Sequence, residues 1–198
     1  MVRVLVLLPT TTYRAPDFLA AACRLEVELA VGSEEKNVLA SQHPDGYLQL
    51  DFDDLERSAR TVAEFSRHHP IQAVVGLDDS TTVVAACIAR KLSMPANPVD
   101  AVKASQNKRV MRERLHAARV PIPDFRVFPL EDDPTRLCSS ITYPCVLKPT
   151  MLAASQGVIR ADDETSFVQA WRRIARIIQT QEAVHEILVE SFIPGQEV

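Results

Sequence analysis

The stretch Ile71-Gln-Ala-Val-Val-Gly-Leu-Asp-Asp-Ser-Thr-Thr-Val-Val-Ala-Ala-Cys-Ile-Ala-Arg-Lys-Leu92 decides the architecture of the first half of the chain. Residues 71–77 form a short apolar run rich in valine, continuous rather than alternating, as in a strand buried on both faces. Residues 80–92 then place Val83, Val84, Cys87 and Ile88 at helical spacing, with Ser80 available as an N-cap. The same alternation runs upstream. Residues 2–8 are a Val- and Leu-rich run, 16–24 are helix-like, 26–31 read as a strand, and 47–50 as a short one. Residues 53–69 open with an acidic turn and carry Leu55, Ala59, Val62, Ala63 and Phe65 at helical spacing. Strands alternating with helices in this way predict a parallel sheet covered on both faces.

The pattern changes after Met94-Pro-Ala-Asn-Pro98, where two prolines three residues apart exclude a helix interior. Residues 99–105 and 107–118 read as helices, the second ending before Val120-Pro-Ile-Pro123. Residues 125–128 and 143–149 read as strands separated by an acidic helix or turn at 131–140. Residues 158–160 form a short strand, and 186–193 another. Between them lies an amphipathic helix, 164–179, with Phe167, Trp171, Ile174, Ile177 and Ile178 on its core side. The expected fold class is α/β: a Rossmann-like domain over 1–97, a helical linker over 98–122, and a small α+β lobe on a mixed or antiparallel sheet over 123–198. Pro194-Gly195 is a strong turn signal followed by three residues. The chain is therefore expected to be the N-terminal part of a longer protein, stopping inside a hairpin. Without a return strand, 187–193 would expose an edge, so oligomer contacts or local disorder are expected near 150–157 and 194–198.

Composition narrows the classes. The 198 residues are 46% hydrophobic and 24% charged with a formal net charge of -4, ordinary for a globular protein. That charge does not favour nucleic acid or an anionic membrane as partner. No apolar run approaches the ~18 residues of a membrane helix, and the opening residues read as a buried strand rather than a signal peptide. Cys23, Cys87, Cys138 and Cys145 stand singly, which fits reduced structural thiols and a cytoplasmic location. His43, His68, His69, His116 and His185 form no ligand pattern, and no metal site is expected. Phosphate-loop, dinucleotide, nucleophile-elbow and zincin motifs are absent. Glycine numbers only 5, and the loop after the first strand, Pro9-Thr-Thr-Thr-Tyr13, has none. A dinucleotide pyrophosphate could not approach that backbone closely.

Tyr143-Pro-Cys-Val-Leu-Lys-Pro149 puts a lysine inside an apolar strand, with Val146 and Lys148 on one face and Cys145 and Leu147 on the other. Lys148 is either a gatekeeper on an edge strand or a point charge held against a phosphate. Asn107-Lys-Arg-Val-Met-Arg-Glu-Arg-Leu115 puts Lys108 in the first turn of a helix, the unfavourable end for a cation. It is either part of a solvated basic face or a residue whose cost a phosphate ligand offsets. Asp78 and Asp79 follow the 71–77 strand and serve either as helix cap and first-turn carboxylate or as groups facing a ligand at the strand's carboxyl end.

Taken in order, four segments resemble the ATP-grasp superfamily of carboxylate–amine and carboxylate–thiol ligases: Lys108 through Val120-Pro-Ile-Pro123, Pro144-Cys-Val-Leu-Lys-Pro149, Ser155-Gln-Gly-Val158, and Leu188-Val-Glu-Ser-Phe-Ile-Pro-Gly-Gln-Glu-Val198. The resemblance spans the whole chain. It implies that Lys108 and Lys148 contact the phosphates of ATP and that Ser155, Gln156 and Gly157 belong to a loop folding over them. It further implies that Glu190, Ser191, Phe192 and Ile193 read the adenine edge, that Val146 packs on the base, that Glu197 accepts from the ribose, and that Asp78 and Asp79 face substrate. Magnesium ligands would belong to a second lobe beyond Val198, and no metal or catalytic residue is assigned here. The implied reaction activates a carboxylate as an acyl phosphate and joins it to an amine or similar nucleophile, with this stretch alone binding nucleotide weakly or not at all. Ala153-Ala154 departs from the glycine-containing loop of the family, and alanine is expected to resist positive φ. A non-catalytic small-molecule or protein-binding module with a Rossmann-like fold is the alternative.

Overall fold

Arg3–Leu7 forms β1 in the computed structural model, which describes residues 2–9, 15–35, 46–179 and 185–196. The chain divides into two compact units, Met1–Lys103 and Ala104–Val198. In the first, β1 is followed by α1 (Ala15–Arg24), β2 (Glu28–Ser33), β3 (Tyr47–Gln49), α2 (Leu55–Ser66), β4 (Ala73–Gly76) and α3 (Asp79–Lys91). Then comes α4 (Val99–Gln106), within which the unit boundary falls. The strands lie in the order β3-β2-β1-β4, and every pairing is parallel. Alternate residues of β1 enter different cores. Leu5 and Leu7 meet Ala59 and Val62 of α2 and Val84 and Ile88 of α3, whereas Val6 packs with Val31, Leu77 and Phe18 of α1. Fully burying a side chain such as Val62 or Ile88 stabilises by about 1.5–3 kcal/mol. The unit is thus the expected parallel α/β sheet with helices on both faces.

Two local expectations are corrected here. Ser80 does not cap α3. Asp78 occupies the N-cap, and the Thr81 hydroxyl donates to the Asp78 carbonyl at 2.8 Å and accepts from its amide at 3.3 Å. A Cβ on Gly76 would lie 2.7 Å from Thr81 Oγ1, so this turn needs glycine. β2 also starts two residues later than the apolar pattern suggests, because Glu26 turns the chain at φ +52°.

The second unit contains α5 (Lys108–Ala117), β5 (Phe125–Pro129), α6 (Pro134–Leu137) with a 3-10 turn at Cys138–Ser140, β6 (Cys145–Pro149), β7 (Ile159–Ala161), α7 (Glu164–Ile178) and β8 (Glu186–Ser191). Its sheet is antiparallel, in the order β5-β8-β6-β7. One face is covered by α7, whose Phe167, Ala170, Trp171, Ile174 and Ile178 pack on Cys145, Leu147, Ile187, Val189 and Phe128. Asp163 caps α7, accepting from the Ser166 amide at 2.7 Å while its own amide donates to Ser166 Oγ at 3.0 Å. Ile177 was expected among the core positions but is 37% exposed, since it falls off the 167–171–174–178 stripe. The expected free edge is also corrected. β8 is a central strand, hydrogen-bonded to β5 on one side and β6 on the other. Among the described residues no helix is long and apolar enough to cross a membrane.

Candidate functional site

The site grows from the two-residue period of β6. Cys145 and Leu147 are buried beneath α7, which turns Val146 and Lys148 to the opposite face. In the antiparallel register, Val146 lies opposite Glu190 and Lys148 opposite Leu188, so Lys148 and Glu190 are diagonal neighbours on that face. The Lys148 ammonium donates to Glu190 Oε1. From α5, Arg112 reaches the other oxygen, its Nε and Nη2 lying 3.1 and 2.9 Å from Oε2. Glu190 is 6% exposed, Lys148 20% and Arg112 17%. A carboxylate this deeply placed requires a charged partner, and here each oxygen has one. The group carries two cations to one anion, so its formal charge is positive.

Lys108 opens α5, after the Asn107 cap whose side chain accepts from the Val110 amide at 3.2 Å. Its backbone amide donates to the Thr150 carbonyl at 2.8 Å, and its ammonium donates to the Leu152 carbonyl. The helix start is thereby fixed to the segment that leaves β6, two residues past Lys148. Further along α5, Arg109 pairs with Glu186 at 2.5 Å, so α5 is tied to β8 at two successive points.

The segment after β6 contains two tight turns. Ala154 and Ser155 have φ of +52° and +56°, and the Gln156 amide bonds the Ala153 carbonyl at 3.1 Å, the signature of a type I′ turn. The next turn joins the Val158 amide to the Ser155 carbonyl at 3.3 Å, with Gly157 at φ +74°. The expectation that alanine would keep this loop out of positive φ is overturned. Ala154 occupies it, at a cost of about 1–2 kcal/mol that the surrounding bonds offset.

Beyond Glu190, the Ser191 amide donates to the Asp124 carbonyl at 2.9 Å and the Phe192 amide to the Pro144 carbonyl at 3.1 Å. The Arg160 guanidinium sits 4.1 Å from the centre of the Phe192 ring, and Arg160 lies opposite Val146 in the register. Ile193 is 65% exposed. Glu197 lies outside the described residues. Asp78 and Asp79 belong to the other unit, as cap and first residue of α3. The structure therefore joins Lys148 directly to Glu190, and Lys108 to the loop that carries Ser155, Gln156 and Gly157. Arg112 is the residue that sequence reasoning passed over. Its one signal is the i,i+4 spacing from Lys108, which puts both on one helix face; its partner lies 78 residues away. Among the described residues, no three His, Cys, Asp or Glu side chains group so as to hold a metal ion.

Comparison with known proteins gives the family. A model described as the ATP-grasp N-terminal domain matches residues 19–96, and one described as the ATP-grasp domain matches residues 141–198. An uncharacterized protein of Sinorhizobium fredii is 22% identical over 98% of the chain and 41% of its own length. A phosphoribosylamine–glycine ligase of Leptospira interrogans is 24% identical over 78% of the chain and 35% of its own length. Among solved structures, an N5-carboxyaminoimidazole synthetase from Staphylococcus aureus complexed with ADP shares the fold, with a TM-score of 0.66 at 12% identity over 98% of the chain. The chain spans less than half the length of each of these proteins. With both models matching in order and together covering more than half of its residues, the chain belongs to the ATP-grasp superfamily.

Proposed function

We propose that the protein containing this chain is an ATP-dependent ligase that activates a carboxylate as an acyl phosphate and joins it to an amine or similar nucleophile. The observation that carries this reading is the positive cluster at the β6–β8 face, where Lys148 and Arg112 share one carboxylate while Lys108 holds the adjoining loop. A triphosphate is a polyanion, and ammonium and guanidinium groups at the wall of a sheet suit it. Residues 1–97 would be the domain preceding the ATP-grasp fold, 98–122 a linker and 123–198 the first lobe. Lys148 and Lys108 would hold the phosphates, with Ser155, Gln156 and Gly157 closing over them. Backbone groups of 190–193 would take the adenine edge, Val146 would pack on the base, and Glu197 would accept from the ribose. Asp78 and Asp79 would face substrate.

The substrate carboxylate would attack the γ-phosphorus with loss of ADP, and the nucleophile would then displace phosphate from the acyl carbon. Positioning and charge stabilisation would supply most of the rate. The described donor set does not fit magnesium; its ligands would come from residues outside this stretch, and no step here depends on it. The relatives' greater length supports a further point, that these 198 residues alone bind ATP weakly or not at all and do not turn it over. The test is ADP release by the intact protein across a panel of carboxylates, with hydroxylamine trapping the acyl phosphate as a hydroxamate. Carboxylate-dependent ADP release, lost in Lys148→Ala, is expected. Nucleotide binding with no carboxylate-dependent release would favour a binding module instead. ATP hydrolysis by the isolated 198 residues would contradict the part assigned to the rest of the protein.

A further inference from the structure

We infer that Arg112 is a positioning residue that keeps Lys148 available to an anion by compensating Glu190 in its place. The inference rests on the phosphate-binding role given to Lys148 above. Glu190 is buried on the central strand of the sheet, and its two oxygens are divided between two cations. Whenever Lys148 turns to a phosphate, Glu190 loses the partner of Oε1. A buried carboxylate left without any partner is strongly unfavourable, so in a two-residue Lys148–Glu190 pair the carboxylate would compete with the ligand for the lysine. The third member changes that balance. Arg112 places both Nε and Nη2 on Oε2, a planar donor set that holds without Lys148. Arg112 is itself fixed by α5, whose first residue is bonded to Thr150 and whose Arg109 is paired with Glu186. The same helix thus anchors the loop and the counter-charge.

The experiment titrates inorganic tripolyphosphate, which carries the charge of the ligand without its base, into the intact protein and its variants. The wild type is expected to bind and Lys148→Met to lose binding. Arg112→Met should weaken binding about tenfold or more, the scale of a hydrogen bond to a charged group. Arg112→Lys, which keeps a cation beside Glu190, should stay within about threefold of wild type. The decisive arm is the double variant Arg112→Met/Glu190→Gln: with no carboxylate left to capture Lys148, affinity should return to the wild-type range. Wild-type affinity in Arg112→Met overturns the inference. A double variant as weak as Arg112→Met also overturns it, since Arg112 would then act on the anion itself or on folding. Absence of binding to the wild type, or wild-type binding by Lys148→Met, removes the reading of Lys148 and this inference with it.

Discussion

Gly157→Ala is the substitution whose cost can be worked most fully from the geometry. Gly157 has φ +74°, and a Cβ built there would stand 2.8 Å from Pro149 Cγ and 3.1 Å from Cδ. Holding an alanine at left-handed φ costs about 1–2 kcal/mol. The less flexible unfolded chain returns about 0.4–1 kcal/mol. Pro149 is a ring at the end of β6 and cannot swing aside as a long side chain would, so overpacking adds about 1–3 kcal/mol. The expected net loss is about 1–5 kcal/mol, most of it from the contact. Urea unfolding followed by tryptophan fluorescence measures it cleanly, because Trp171 is the chain's single tryptophan and is 2% exposed in the core of the unit that holds Gly157. Adding Pro149→Ala to the Gly157→Ala background should recover about 1 kcal/mol or more through relief of the clash. A Gly157→Ala variant within about 0.5 kcal/mol of wild type, or one made no better by Pro149→Ala, would refute the turn geometry on which the loop assignment stands.

Stability should also reveal the shared carboxylate: Lys148→Met and Arg112→Met are each expected to cost about 1 kcal/mol. Their combination should cost about 3–5 kcal/mol, more than additive, because only the double variant strands Glu190; an additive result in urea melts would count against the shared pairing. Native thiol titration should find Cys23 reactive and Cys87, Cys138 and Cys145 protected until the chain unfolds, since Cys23 is exposed and the other three are buried. Burial pushes the Cys145 thiol up to about 11, so its contribution is complete below the ordinary thiol range and is lost as pH rises toward 11; urea midpoints falling above about pH 9, less so in Cys145→Ala, would show it. Hydrogen bonds from Ser166 hold the Asp163 carboxyl below its ordinary value. The cap therefore stabilises α7 above the usual carboxylate range and fades as pH falls below it, and Asp163→Asn should flatten that acid limb of the stability curve.

Much of the fold was legible because it depends on local periodicity. The continuous apolar runs at 2–8 and 71–77 gave a parallel sheet, and the alternation at 145–148 correctly separated Leu147 from Lys148. What could not be read was long-range pairing. Nothing near 187–193 in sequence says that Phe125–Pro129 flanks it, so the sequence alone predicts an edge where β8 is central. The same limit hid Arg112, whose meaning depends on a register linking α5 to a strand 78 residues away. Two misreadings were local. Asp78 outcompeted Ser80 as a cap because Thr81 could bond back to it. Ala154 accepted a left-handed φ that glycine would have taken more cheaply, since Lys108 and the turn bonds hold the loop there.

The central claim, that Lys108 and Lys148 belong to one anion-binding surface, is tested most directly by an NMR titration of the intact protein with ATP. The account predicts saturable shifts concentrated at Lys108, Arg112, Lys148, the amides of 150–157 and residues 190–193, all reduced together by Lys108→Met or by Lys148→Met. Shifts confined to one lysine's surroundings, or unaffected by either substitution, would contradict it.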